Sequence, residues 1–160
     1  MAVALGVAIT SQECALKRGS THAAGRFDLV VAAPGSQTDA MLKAVFLCIG
    51  SIELLKPEVV ARAFAEPHAE IVAPIAFGDS HDGAPVVGSV PAFVTHLSGG
   101  KLAEGRTSEK HAEAVVGYAS PLKIDDTFHP THGHDHTLEL EHEHGVEIKV
   151  VGRMKPTGSP

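Results

Sequence analysis

The beginning of the chain changes from apolar to polar along one predicted helix. Residues 2–9 read AVALGVAI, whereas the turns that follow carry basic side chains such as Lys17 and Arg18. Gly25 is a typical helix C-terminus, so the pattern predicts a helix from residue 2 to about residue 24. The apolar part is shorter than the roughly 20 residues that a membrane-spanning helix needs, and it lacks the basic start and cleavage site of a signal peptide. Three interpretations stay open: a buried first element, an unusual signal remnant, or the outer end of a membrane helix that begins before this sequence.

After Gly25, short apolar runs alternate with turns and predict a mixture of strands and helices. Two of these runs flank the turn sequence DSHDG, which is typical of a β-hairpin. Ser36 and Asp39 form a capping-box pattern, as expected at a helix N-terminus. The predicted strands or extended segments are 27–35, 69–78, 84–91, the start of 111–124, 125–129 and 146–154. The predicted helices are 37–49 and 58–66, and 92–100 is predicted to be a short turn or helix. This order predicts an α+β fold in which a mixed or antiparallel sheet carries helices on one face.

Composition and charge limit the classes of function. A chain of 160 residues, 44% of them hydrophobic, is long enough for one domain with a core and short for two. The formal net charge of −6 argues against nucleic acid as a partner, because nucleic-acid binding needs basic patches. The two cysteines form no C-x-x-C motif, and Cys48 lies in the apolar run AVFLCIG, as expected of a small core residue.

Residues 129–145 form a histidine-rich segment that contains six of the eleven histidines of the chain. Because alternate residues of an extended chain point to one face, two sets of histidines are aligned, and a reversal near Thr137–Leu140 would bring the sets together. The sets are His132, His134 and His136, and His142 and His144. Neutral imidazole is a ligand for Zn²⁺, Ni²⁺ or Cu²⁺. The candidate metal ligands are His129, His132, His134, His136, His142 and His144. Three interpretations remain open: a divalent-metal site, preferentially for zinc; a pH-sensitive loop, because histidine titrates near neutrality; or a solvated surface loop.

Several short motifs, in their order along the chain, resemble a known domain. They are VVGS at 86–89, LAEGR at 102–106, AVVG at 114–117 and VVGRMKPTGSP at 150–160. Together with FDLVVAAPGS near the start, they resemble the large extracytoplasmic domain of MacB/FtsX-type ABC transporter permeases, which lies between the first and second membrane helices. The resemblance extends over almost the whole chain.

The resemblance implies a division of the chain and a place in the cell. Residues 1–24 would be the end of the first transmembrane helix and a long stalk helix, and residues 25–160 an extracytoplasmic α+β domain. The domain would project from the inner (cytoplasmic) membrane to the periplasm or cell exterior. The implied role is to bind a partner or cargo and to transmit ATP-driven movement. The implied partners are an ABC ATPase subunit, a second permease copy and a periplasmic binding protein.

The sequence lacks common motifs of nucleotide binding and catalysis. GSQTDAMLK departs from the phosphate-binding loop pattern, so any ATPase activity is expected on a separate subunit. Neither H-E-x-x-H nor G-x-S-x-G occurs, and GDSHDG at 78–83 is typical of a hairpin turn. The chain is therefore predicted to bind no nucleotide and not to be an enzyme. The alternative functions are a free-standing periplasmic protein that buffers zinc and a metal-dependent hydrolase that uses His81.

Overall fold

The computed structural model describes residues 2–47, 53–132, 142–143 and 145–157. Over these residues the architecture is α+β, with four helices and two sheets, which confirms the predicted class. The helices are α1 (Ala2–Ala24), α2 (Gln37–Phe46), α3 (Pro57–Phe64) and α4 (Pro91–Leu97). The strands are β1 (Ala76–His81), β2 (Ala84–Gly88), β3 (Glu104–Gly105), β4 (Glu113–Val116), β5 (Thr127–Phe128), β6 (Thr131–His132), β7 (His142–Glu143) and β8 (Ile148–Arg153). They form two sheets where the sequence predicted one.

Helix α1 has the predicted length and is not part of the core. The apolar side chains of its first half, Val3, Leu5, Val7 and Ile9, are each more than half exposed. The polar half is exposed as well, apart from Gly19 and Ala24, over the residues whose side chains the structure describes. In the described part of the chain, no helix is at once long and apolar enough to cross a membrane.

The predicted strand at 27–35 is wrong, because this segment pairs with none of the described strands. Leu29 is 79% exposed and Val31 is 48% exposed, so the apolar run is only partly covered. A strand needs a neighbour to receive its backbone hydrogen bonds, and hydrophobicity alone does not supply one. The segment is instead attached at its start, where the rings of Phe27 and Phe93 lie 5.9 Å apart between centroids.

The predicted hairpin is present as β1 and β2, but its turn is shorter than DSHDG, because Asp79, Ser80 and His81 belong to β1. Residues 69–75 of the predicted first strand are not in a strand. His81 pairs with Ala84 across a two-residue turn formed by Asp82 and Gly83. Both turn residues have positive φ, 49° and 76°, as a type I′ turn requires, and Asp-Gly is a favoured sequence for it. The first sheet continues from this hairpin in the order β2-β1-β6-β7, and each neighbouring pair in it is antiparallel.

Strand β8 is the centre of the second sheet. It pairs in parallel with β4 on one side, and on the other side antiparallel with β5 along its first half and β3 along its second. Gly105 of β3 lies opposite Gly152 of β8. A Cβ atom on Gly152 would lie only 2.2 Å from the carbonyl oxygen of Arg106, so the two strands pack this closely only with glycine there.

The core lies between the two sheets. Its buried centre is formed by Val116, Phe128 and fully buried Val150, which come from β4, β5 and β8. Val86 of β2 packs against this cluster and joins the first sheet to the second. This cluster therefore consists of small aliphatic side chains around one phenylalanine, as a composition with few aromatics requires.

Replacing Gly152 by alanine should destabilise the fold by about 1–3 kcal/mol, because the added methyl group overlaps backbone that cannot move away. The measurement is the free energy of unfolding from urea denaturation. Gly117→Ala is the matched control: it adds the same methyl group directly after β4, where a Cβ meets nothing within 4 Å. Equal stability of the two variants would contradict the proposed packing of β3 against β8.

Candidate functional site

The outer half of the first sheet brings candidate ligands into one row. In the pairing of β1 with β6, Asp79 is the partner of His132, and in the pairing of β6 with β7, His132 is the partner of His142. On the other side of Asp79, the partner is Val86. The row Val86, Asp79, His132, His142 therefore runs across four strands, from a residue that packs on the core to the last described strand of the sheet.

A second row, one residue further along, fixes this register. Ser80 pairs with Thr131, and Thr131 with Glu143. The hydroxyl of Thr131 donates to the carbonyl oxygen of Ser80 at 3.2 Å, and the two hydroxyl oxygens lie 3.4 Å apart. A slip of one residue would exchange the two faces of β6, so these contacts keep His132 in the row of Asp79.

The start of the histidine-rich segment is attached to the hairpin by His81. The rings of His81 and Phe128 lie 4.8 Å apart between centroids. Nδ1 of His81 is 3.3 Å from the carbonyl oxygen of His129, and Nε2 is 3.6 Å from the carboxylate of Asp82. Ser80 and His81 are neighbours on one strand and so lie on opposite faces of it, which does not favour a nucleophile–base pair.

Of the six predicted metal ligands, only His129 has a side chain that the structure describes. His134, His136 and His144 lie outside the described residues, as do the side chains of His132 and His142. His129 is exposed and lies between β5 and β6, outside the row. Among the side chains that the structure describes, no three His, Cys, Asp or Glu residues form a group that could hold a metal ion.

In the pairing of β6 with β7, His132 is opposite His142. The side chains of both histidines lie outside the described residues, so metal binding by them stays a prediction. Asp79 was not among the predicted ligands, because its proximity depends on strand pairing.

A different junction lies at the base of α1. The guanidinium of Arg26, the second residue after α1, donates to the carbonyl oxygens of Leu97 and Thr157. The carbonyl oxygen of Arg26 is 3.0 Å from Nε2 of His96. Arg26 thus joins three parts of the chain: the exit of α1, the C-terminal end of α4 and the segment after β8.

The segment after β8 is held along its length. The guanidinium of Arg153 donates to backbone carbonyl oxygens in the loop that follows β4, including that of Ser120 at 2.9 Å. The amide of Lys155 donates at 2.9 Å to the hydroxyl of Ser98, a residue that is 2% exposed, and that hydroxyl donates to the carbonyl oxygen of Lys101. The last described residues of the chain are therefore held beside Arg26, just after the end of α1.

Arg106 forms a two-pronged ion pair with Glu113. The two guanidinium nitrogens lie 2.7 and 2.6 Å from the two carboxylate oxygens. The backbone amides of Glu109 and Lys110 also donate to this carboxylate. The hydrogen bonds from Arg106 are the main reason why the pKa of Glu113 falls from 4.5 to about 2. The pair closes the loop between β3 and β4 and fixes the turn in which Arg106 follows Gly105.

A shallow cavity of about 180 Å³ lies beside the N-terminus of α2, between Ala32 and Lys43. It is smaller than the roughly 300–1,000 Å³ typical of small-molecule sites. It is therefore a weaker candidate for a binding site than the row on the first sheet.

Comparisons with known proteins found no matching family model, no similar curated protein and no similar solved structure.

The ion pair predicts a dependence of stability on pH. A carboxylate with a lowered pKa contributes stability above its unfolded value, and that contribution is lost as the pH falls through the folded value. The wild-type protein should therefore lose stability between about pH 4.5 and pH 2, and Glu113→Gln should lose less over this interval. Denaturant midpoints measured across this range test the point, with the exposed Glu104→Gln as control. An unchanged acid profile in Glu113→Gln would contradict it.

The junction at Arg26 predicts that replacing this arginine by lysine destabilises the fold, although the positive charge is kept. Arg26→Lys keeps the positive charge, but an ammonium cannot reproduce the fork that reaches two carbonyl oxygens. The free energy of unfolding should fall by about 2 kcal/mol, since hydrogen bonds of charged groups are the stronger ones. Arg18→Lys, on the exposed polar half of α1, should change it by less than about 0.5 kcal/mol. Equal values for both variants would show that the junction is unimportant.

Proposed function

We propose that this chain is the extracytoplasmic domain of a MacB/FtsX-type ABC transporter permease subunit. In this proposal it binds a partner or cargo and transmits ATP-driven movement, and it has no catalysis or nucleotide site of its own. Its partners are a separate ATPase subunit, a second permease copy and a periplasmic binding protein. The domain projects from the inner membrane toward the periplasm or cell exterior, with α1 as stalk. A divalent metal, zinc first, is linked to its action through the histidine-rich segment.

The observation that carries the proposal is the junction at Arg26. A domain inserted between two membrane helices must have its entry and its exit at the same place, because both continue into the same bilayer. Arg26, just after α1, is hydrogen-bonded to Thr157 near the end of the described chain. The convergence of entry and exit is what such an insertion requires, and insertion between other elements would require it as well.

The same junction offers a route for movement. Arg26 is also hydrogen-bonded to the last residue of α4, Leu97. A shift or rotation of α1 would therefore act at once on α4 and on the segment after β8. The exposed apolar first half of α1 supports the proposal that this end of the helix continues toward lipid.

The motifs on which the resemblance rests share a structural role. LAEGR contributes β3, AVVG contributes most of β4, and the closing motif begins in β8, so three of the four motifs meet in the second sheet. Gly105 and Gly152 come from two of these motifs and are opposite each other. A shared need for close strand packing supports the resemblance better than the separate Val-Gly runs do.

The alternative function is a free-standing periplasmic metal-binding protein that buffers or transfers zinc. The observation that favours it is the pairing of His132 with His142, which supports metal binding without involving a membrane. The two functions differ in whether α1 is tied to a bilayer, so the experiment is directed at α1.

Cys14 tests the permease proposal, because it is an exposed free cysteine in the polar half of α1. The complete natural polypeptide is expressed with Cys48→Ser and treated, in intact spheroplasts, with a membrane-impermeant maleimide. We expect labelling of Cys14 without lysis, and retention of the labelled chain in the membrane pellet after alkaline carbonate extraction.

The matched control carries Cys14→Ser as well as Cys48→Ser, so that any label on other cysteines can be subtracted. Labelling that appears only after lysis would overturn the proposed orientation. Release of the chain into the soluble periplasmic fraction would overturn the membrane assignment and favour the buffer protein.

A further inference from the structure

We propose that the free edge of β4 is a contact surface for a second copy of this chain, in which the two β4 strands pair antiparallel about a two-fold axis at Ala114. The second sheets of the two copies would then form one continuous sheet. The inference rests on the second copy named in the proposed function, and it specifies the surface of the domain through which that copy is contacted.

The first step of the argument is that one side of β4 is unpaired. Among the described strands, only β8 pairs with β4, which is the last strand on its side of the sheet. The carbonyl oxygens of Ala112 and Val116 accept hydrogen bonds from the amides of Lys149 and Met154, in β8 and directly after it. Because successive residues of a strand direct their N–H and C=O groups to opposite sides, those of residues 113 and 115 face away from β8. In the described part of the chain these groups have no other backbone partner.

The second step is that β4 differs from the other strands with a free side in the described structure. Strand β2, at the edge of the first sheet, contains Pro85, which lacks an N–H and interrupts such an edge. Strands β3, β5 and β7 have two residues each and are too short to pair with a further strand. Strand β4 has four residues and no proline. Free edges are usually protected, so an unprotected one indicates a partner strand.

The third step concerns the charge at this edge, which is compensated within one chain. Glu113 is the charged residue of β4, and its side chain is 10% exposed. Its carboxylate oxygens lie 2.7 and 2.6 Å from the guanidinium nitrogens of Arg106. An uncompensated charge on the edge would repel an identical strand, and the ion pair removes that obstacle. A locally neutral edge favours a second copy over a strongly acidic or basic peptide.

The fourth step is the register, which the hydrogen-bonding groups select. With the axis at Ala114, Glu113 of one copy is opposite Val115 of the other, and the two residues exchange N–H···O=C bonds on both sides of the axis. An axis at Val115 would instead pair Glu113 with Gly117, whose carbonyl oxygen already accepts from Arg153. In the first register the two alanines meet at the axis, and no like charges are opposite each other.

The contact is short, so it depends on how the copies are held. Two four-residue strands bury far less than the roughly 1,200 Å² at the lower end of standard interfaces, so free domains would associate weakly. Two copies anchored in one membrane have a high effective concentration, at which a weak contact is occupied. The test therefore uses the complete natural polypeptide.

The test is disulfide cross-linking in native membranes, in a background with Cys14→Ser and Cys48→Ser. Ala114→Cys places two thiols at the axis, where the Cα atoms of a non-hydrogen-bonded pair are about 4.5 Å apart, within the range of a disulfide. We expect oxidation by copper phenanthroline to give a dimer on a non-reducing gel, which a reductant reverses. The background without a new cysteine gives the blank.

The matched control is Val115→Cys, one residue further along the strand. Its two thiols would lie opposite Glu113 residues instead of each other, so we expect much less dimer. A further variant, Val115→Pro combined with Ala114→Cys, removes an outward N–H and leaves the pairing with β8. It should lose most of the cross-linked dimer, and circular dichroism of the purified variant verifies that it is folded.

The outcomes separate this inference from the proposed function. No dimer from Ala114→Cys, or equal yields from Ala114→Cys and Val115→Cys, would overturn the pairing at β4. A cross-link that persists in folded Val115→Pro would overturn it as well, because the contact would not depend on the hydrogen bonds of this edge. If Val115→Pro does not fold, the two cysteine variants decide. A chain that stays in the membrane without cross-linking keeps the proposed function, whereas release into the soluble fraction overturns that function whatever the cross-linking result.

Discussion

The close packing of β8 against β3 is the constraint on which most of the fold depends. Gly152 allows the backbone of β8 to lie against that of Arg106, and this contact sets how near β3 and β8 can approach. With that spacing, Val150 enters the core beside Val116 and Phe128, and β4 and β5 pair on either side of β8. A core of small aliphatic side chains has little volume with which to fill a wider gap, so close backbone contact replaces bulky packing.

The same strand links the core to the two features that bear on function. After β8, the backbone of Lys155 is hydrogen-bonded to Ser98, and that of Thr157 to Arg26. The last described residues therefore lie beside the end of α1. Earlier in the chain, β5 of the second sheet is followed directly by β6 of the first sheet. Phe128, which is buried in the core, lies only three residues before Thr131. The start of the histidine-rich segment is therefore held close to the core, because β5 and β6, on either side of His129, are paired strands.

The junction at Arg26 and the row on the first sheet involve different parts of the chain and different chemical groups. The junction at Arg26 consists of a cation and backbone carbonyl oxygens, and it is suited to hold segments together under load. The row on the first sheet consists of a carboxylate and two histidine positions. Val86 is the residue of this row that packs on the core, and the half-buried Asp79 is its neighbour in the row.

The sequence by itself determined the elements whose signals are local. It determined α1 from its length and its glycine end, the start of α2 from Ser36, whose hydroxyl accepts from the amide of Asp39, and the hairpin from Asp-Gly. It also identified the density of histidines in residues 129–145.

Only the tertiary structure decided what depends on distant partners. The segment 27–35 is not a strand because no described strand pairs with it. Arg106 joins Glu113 instead of its near neighbour Glu104, and Asp79 meets the row of His132 through strand pairing across about fifty residues. The physical reason is common to all three: turns and helix ends are specified by the backbone preferences of a few adjacent residues, whereas strand register and ion pairing depend on which remote segments the core brings together.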